Sequence, residues 1–153
     1  MRLAKMTDYA VVVLCQMARD GRQGVFTASC LAEATGLPLP SVSKVLKALA
    51  HKAIVRAQRG AAGGYVLARP ATDISARDIV VALEGPVVLT ACVEAGDEVC
   101  GYEGLCPIRG HWDPVNRAIH DALGKVTLAD MAMPRPVWAA FGEFRPDIEK
   151  PLE

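Results

Sequence analysis

The chain has 153 residues and a mass of 16.3 kDa, with 52% hydrophobic and 22% charged residues; that suffices for one globular domain, is short for two, and excludes a disordered or fibrous protein. Its 17 Lys and Arg balance 17 Asp and Glu, its longest apolar run (10–15) is far below the roughly 18 residues of a membrane span, and no export signal is legible, so a cytoplasmic protein without a membrane partner is expected. Aromatics at 5% are too few for a base-stacking platform, and five cysteines without an export signal argue for free thiols, a metal site or redox chemistry over a disulfide scaffold.

Met6, Tyr9, Ala10, Val13, Leu14 and Met17 recur at helical spacing and predict a first helix over Lys5–Arg19, stopped by Gly21 and Gly24. Thr27 is a good N-cap for a short second helix, Ala28–Thr35, and Gly36 tolerates the left-handed conformation that ends one. A third helix follows over 40–51. Pro38 and Pro40 permit its start, Val42, Val45, Leu46 and Leu49 form its apolar stripe, and Ser41, Ser43, Lys44 and Lys47 are placed facing away. Runs 53–57 and 65–68 read as a hairpin whose tip is Gln58-Arg-Gly-Ala-Ala-Gly-Gly64. Ser75 caps a fourth helix that ends near Glu84, stopped by Gly85-Pro86. Residues 90–112 form a loop long enough to imply a task. Helical patterning returns over 114–123 with Val115, Ala118, Ile119 and Ala122 on one side, and a last short helix starts from a capping sequence at 127–130. Beyond Met133, Pro134, Pro136, Pro146 and Pro151 suggest a tail with little structure of its own; its Trp138, Phe141 and Phe144 have no evident task.

Two short helices joined by about four residues and followed by a hairpin have the layout of a winged helix-turn-helix. Ala32 falls where the two helices cross, Gly36 at the turn, and Val42 and Val45 where the second helix packs on the first. A plain helical hairpin is the alternative, but the glycine-tipped basic hairpin favours DNA, while the charge asymmetry fits a phosphate footprint and a dipolar surface kept for solubility equally. Residues 1–69 hold ten Lys or Arg against three acids, a balance of +7, and residues 70–153 hold seven against fourteen, a balance of −7. The expected partner is a double-stranded promoter operator, with the third helix in a major groove. Leu39, Ser41 and Ser43 are then near base edges, and Lys44 and Lys47 on phosphates. At the hairpin tip Arg59 would enter the minor groove, while Gly60, Gly63 and Gly64 let backbone approach the sugar-phosphate wall. Arg2 and Lys5 are further phosphate candidates.

Cys92, Cys100 and Cys106 stand in one glycine-containing segment at C-x7-C-x5-C. Thiolates are soft ligands suited to iron-sulfur clusters and zinc, and Gly96, Gly101 and Gly104 would let the segment wrap a centre. Close cysteine pairs typical of zinc are absent, so the spacing favours a cluster; zinc, a metal-free thiol switch and inert thiols remain alternatives. Cys15 and Cys30 lie in helical patterns and are expected in the core. An enzyme is not expected, since there is no C-x-x-C, no phosphate-binding glycine loop ahead of a helix and no adjacent Cys/His pair with an orienting group.

Together, Met1-Arg-Leu-Ala-Lys-Met-Thr-Asp-Tyr-Ala10, Arg59-Gly-Ala-Ala-Gly-Gly-Tyr-Val-Leu67, the three cysteines and Cys106-x5-Trp112 resemble the IscR/NsrR-type winged-helix regulators over residues 1–131. Within that family the start and the wing look most like the regulators of SUF iron-sulfur assembly operons. The resemblance implies a mainly α fold with a small β-hairpin wing and a long C-terminal dimerisation helix, here 112–123. It also implies a homodimer with no small-molecule substrate, whose iron-sulfur cluster sets which promoters are bound. The organisation would be a DNA-binding region (1–86), a cluster loop (87–112), a dimerisation helix with a short terminal helix (113–132) and a tail (133–153). Assembly-type relatives often place a histidine ligand where this chain has Arg109, which cannot ligate because it stays protonated. His111 is one substitute. Nitric-oxide-sensing relatives use an aspartate from the partner subunit, and Asp8 stands at the matching place. Two-iron and four-iron clusters both stay open. The function implied is a cluster-sensing repressor of iron-sulfur assembly genes, with a nitric-oxide- or redox-sensing repressor or a zinc-stapled winged-helix protein as alternatives.

Overall fold

The apolar spacing at the start of the chain produces α1 (Lys5–Arg19), whose Thr7, Ala10, Val13, Leu14 and Met17 are buried. The computed structural model describes residues 3–19, 24–89 and 110–134. Helix α2 (Ala28–Thr35) begins where Thr27 accepts a hydrogen bond from the Cys30 amide at 3.1 Å, and it ends at Gly36, whose φ of 69° lets its amide reach the Ala32 carbonyl. After this tight turn, α3 (Leu39–His51) starts with Pro40 in its first turn. Its Val42, Val45, Leu46 and Leu49 lie on α1 and α2, each at most 1% exposed. Burying a side chain of this size contributes about 1.5–3 kcal/mol, so this stripe sets the orientation of α3.

Strands β1 (Val55–Gln58) and β2 (Gly64–Leu67) pair antiparallel from Val55↔Leu67 to Gln58↔Gly64. The hairpin begins two residues later than the expected 53, because Ala53 adopts a left-handed φ of 55° and the Ile54 amide closes α3 on the Leu49 carbonyl. A contact not foreseen ties the wing to the body: Phe26 and Tyr65 exchange both backbone hydrogen bonds, at 2.9 and 2.8 Å. Gly64 is required there, since a Cβ at that position would stand 2.5 Å from the Phe26 carbonyl oxygen.

A 3-10 turn (Ala71–Asp73) leads to α4 (Ala76–Glu84), opened by a capping box in which Ser75 and Asp78 each bond the other's backbone amide. Burial pushes the Asp78 carboxyl up, but the Ser75 bonds with Arg69 and Arg77 nearby bring it below the usual carboxylate range. The helical pattern after the cysteine segment yields α5 (Asp113–Lys125), followed by α6 (Leu128–Ala132) with its own box, Thr127 and Asp130. The two boxes stand side by side, because Ser75 and Thr127 form an antiparallel bridge with bonds of 2.8 and 2.7 Å. Leu128 and Ala132 enter the core beneath α1, and Arg19 Nε donates to the Ala132 carbonyl at 2.7 Å. The end of the described chain is therefore built into the same body as the helix-turn-helix.

Helix α5 differs from the rest. It packs on α4, and Asn116 is its one buried residue, while Val115 is 44% exposed and the preceding Trp112 40%. The two helical cysteines also part company. Cys15 is buried, and burial pushes its thiol up against the opposing effect of Arg19, which suits an inert core thiol. Cys30 is exposed, contrary to expectation, because α2 is a short surface helix that commits only Leu31 to the core.

Candidate nucleic-acid interface

The buried stripe of α3 leaves an outward face centred on Lys44, with Pro40, Lys47 and His51 exposed beside it. Ser41 and Ser43, expected together at base edges, are separated by roughly 200° on a helix turning 100° per residue. They occupy opposite flanks of that face, each half-buried. Leu39 opens the helix and is 45% exposed. Arg59 is exposed at the wing tip beside Gly60, which turns the chain with the Gly63 amide bonded to its carbonyl at 3.0 Å. Gly63 and Gly64 are half-buried, and both have close backbone neighbours inside the protein. Arg2 lies outside the described residues. Lys5 is exposed in the first turn of α1, its ammonium 5.4 Å from the Tyr9 ring centre.

The start of α1 is fastened to the end of α4 by a residue that sequence reasoning used only as a helix boundary. The Glu84 carboxylate accepts hydrogen bonds from the Ala4 amide at 2.8 Å and from the Thr7 hydroxyl. The Thr7 hydroxyl and Ala4 amide hold the Glu84 carboxyl below its usual range. A depressed folded-state pKa stabilises above the unfolded value of about 4.3 and is lost as pH falls through the folded value. Thermal melts from pH 6 downward are thus expected to fall more steeply for the native chain than for Glu84→Gln. Parallel curves would show that the carboxylate contributes nothing.

Val87 is buried just beyond α4, and the Leu89 amide donates to the buried Asn116 side chain of α5 at 3.2 Å. On the far side, the Asp113 amide bonds the Gly110 carbonyl at 3.2 Å. The residues that flank 90–109, Leu89 and Gly110, therefore both meet the N-terminal end of α5. Asp113 Oδ1 is buried there without a hydrogen-bond partner among the described residues. Cys92, Cys100 and Cys106 lie outside the described residues. His111 is exposed ahead of α5 and Asp8 is exposed on α1. Among the described residues no three His, Cys, Asp or Glu side chains form a group able to hold a metal ion, and no helix is long and apolar enough to cross a membrane.

The profile of the Rrf2 family, described as iron-dependent transcriptional regulators, matches residues 3–134. The chain belongs to the Rrf2 family. Its relatives include the HTH-type transcriptional repressor NsrR of Streptomyces coelicolor, 33% identical over 133 residues that cover 86% of this chain and 88% of that one. The structure of CymR, the global cysteine regulator of B. subtilis, superposes with a TM-score of 0.68 at 26% identity, covering 86% of this chain and 96% of its own. The T. potens IscR structure does so with a TM-score of 0.63 at 25% identity, covering 91% and 96%. Rrf2 proteins are transcriptional regulators and not enzymes, and this chain is a DNA-binding regulator with the winged-helix fold of its relatives. Asn116 and Glu84 are the Rrf2 chain's unforeseen site residues. Asn116 lies about 100° around the helix from Val115, off the stripe of Val115, Ala118, Ile119 and Ala122, so the apolar spacing carried no signal for it.

Proposed function

We propose that this Rrf2 protein is a homodimeric repressor of iron-sulfur assembly genes of the SUF type, with an iron-sulfur cluster as its sensor. The observation that carries the reading is that the residues flanking 90–109, Leu89 and Gly110, both bond to the first turn of α5. In the sequence its three thiols fall between α4 and α5, so a group bound by them would be tethered to both helices. The donor set fits a soft metal centre, and Asp113 at the start of α5 keeps a buried oxygen with no hydrogen-bond partner among the described residues. Cys92, Cys100 and Cys106 would hold the cluster, with Asp8 of the partner subunit or His111 as the fourth ligand. A bound cluster of two or four irons supplies a labile iron-thiolate centre that responds to iron supply, oxidants and nitric oxide.

The chain's own residues give the rest. The exposed Trp112, Val115 and Val126 leave α5 with an unpartnered apolar side that suits a twin copy. Ordering of the segment between α4 and α5 would bias the spacing of two α3 helices that must match half-sites about one DNA turn apart. Lys44, Lys47, Arg59, Arg2 and Lys5 would then meet phosphates or the minor groove, and Leu39, Ser41 and Ser43 the base edges.

Protein purified without oxygen is expected to be brown, with visible charge-transfer bands and two or four irons per chain. Replacing Cys92, Cys100 and Cys106 by alanine is expected to remove the colour and change affinity for at least one promoter about ten-fold, within the usual range of coupling between two sites. Stoichiometric zinc without iron would leave a zinc-stapled DNA-binding protein, and unchanged affinity across promoters would overturn the coupling. A nitric-oxide-responsive variant of this reading is favoured by Asp8, whose exposed carboxylate on α1 has no partner among the described residues. Promoter occupancy after nitric oxide, compared with iron starvation, separates the two.

A further inference from the structure

A cleft of about 400 Å³ lies between the end of α1, the wing and the turn at 70–71. Its apolar surface comes from Met17, Phe26, Leu67 and Ala71, and its cations are Arg56 and Arg69. No acid lines it. Arg69 is partly neutralised, donating to the Asp73 carbonyl at 3.1 Å and standing 3.4 Å from Asp78. Arg56 has neither a hydrogen bond nor an ion pair among the described residues, so the cleft joins an apolar floor to an uncompensated cation. That combination calls for an occupant with apolar bulk and negative charge.

The chain itself carries one. Helix α6 ends at Ala132, whose carbonyl is held by Arg19, the residue after the cleft-lining Ala18, and α6 also packs on the turn that contains Ala71. The described residues thus end beside the cleft at Pro134. The next residues include Trp138, Phe141 and Phe144, three of the eight aromatics in the whole chain, and 138–149 holds three acids against one base. Ten residues beyond Pro134 can reach up to about 33 Å, and a tethered segment acts at millimolar effective concentration.

We propose that residues 138–144 dock in this cleft, with Trp138, Phe141 and Phe144 supplying apolar surface to its floor and Glu143 meeting Arg56. Two walls of the cleft are wing strands, so the docked segment braces the wing against α1.

The test uses the full-length Trp112→Phe protein, in which Trp138 is the only tryptophan. Its emission is expected to be blue-shifted relative to a peptide of residues 134–153, and acrylamide quenching to be at least about three-fold weaker, as for a segment docked most of the time. Arg56→Glu, and separately Phe141→Ser with Phe144→Ser, should return quenching toward the peptide value while circular dichroism stays native. Peptide-like quenching in the full-length protein would overturn the proposal. So would shielding that persists in Arg56→Glu, which places the segment elsewhere, or shielding lost on dilution, which places it on another copy. Shielding lost only on adding a small organic acid is competition for the same cleft and supports it.

Discussion

Replacing Lys44 and Lys47 together by alanine is expected to weaken operator binding roughly 100-fold or more while leaving the melting temperature unchanged, because charge-assisted contacts contribute about 1.5 kcal/mol or more each. Both side chains are exposed on the face of α3 opposite its buried stripe, and neither has a partner among the described residues that its loss would orphan. Each neutralised phosphate contributes about 0.9 to the slope of log affinity against log salt, so the double variant should lose nearly two from that slope. The loss should be similar on operator and random DNA, since phosphate contacts carry no sequence information. Ser43→Ala should instead change discrimination between operators with little effect on the slope. Titrations at several salt concentrations decide the matter, and an unchanged slope for the double variant would remove α3 from the phosphates.

The second large effect falls far from the interface. Leu128→Ala is expected to cost about 3 kcal/mol, within the usual 2–5 kcal/mol for emptying a buried leucine site. Leu128 is completely buried, its amide holds the Ile74 carbonyl at 2.7 Å, and it forms part of the same core as Leu14 and Ile79. Against a typical domain stability of about 5–15 kcal/mol, a loss of this size lowers the melting temperature by roughly 6–12 °C. Denaturant or thermal melts will show it. A change within about 0.5 kcal/mol, the range of an ordinary surface substitution, would mean that α6 is an appendage of the fold.

Local chemistry made much of this architecture readable. The limits of α2 follow from Thr27 and Gly36, and the starts of α4 and α6 from Ser75 and the 127–130 sequence, because a cap is written in the residues that form it. What escaped was long-range. Nothing in the spacing of apolar residues pairs Phe26 with Tyr65 or Ser75 with Thr127, and Ala53 carries no glycine to announce its left-handed turn. At the interface the two lysines were legible because a charge opposite an apolar stripe must face water. The serines were less so, since a small polar side chain is accommodated at the margin of a buried face. Cys30 was misjudged because a helical pattern does not say how little of a short helix meets the core.

The bridge between Ser75 and Thr127 bears on how the chain comes off the ribosome. The helix-turn-helix and wing are complete in sequence by Leu67, yet the hydrophobic centre they rest on waits for Leu128 and Ala132. Every residue of the cysteine segment is therefore translated before the DNA-binding body can close. A premature stop or a proteolytic cut anywhere ahead of Leu128 releases a chain with an unfilled core, not a shortened protein in which the helix-turn-helix and wing stand intact. The cysteine segment and the helix-turn-helix are thereby joined in the order of synthesis.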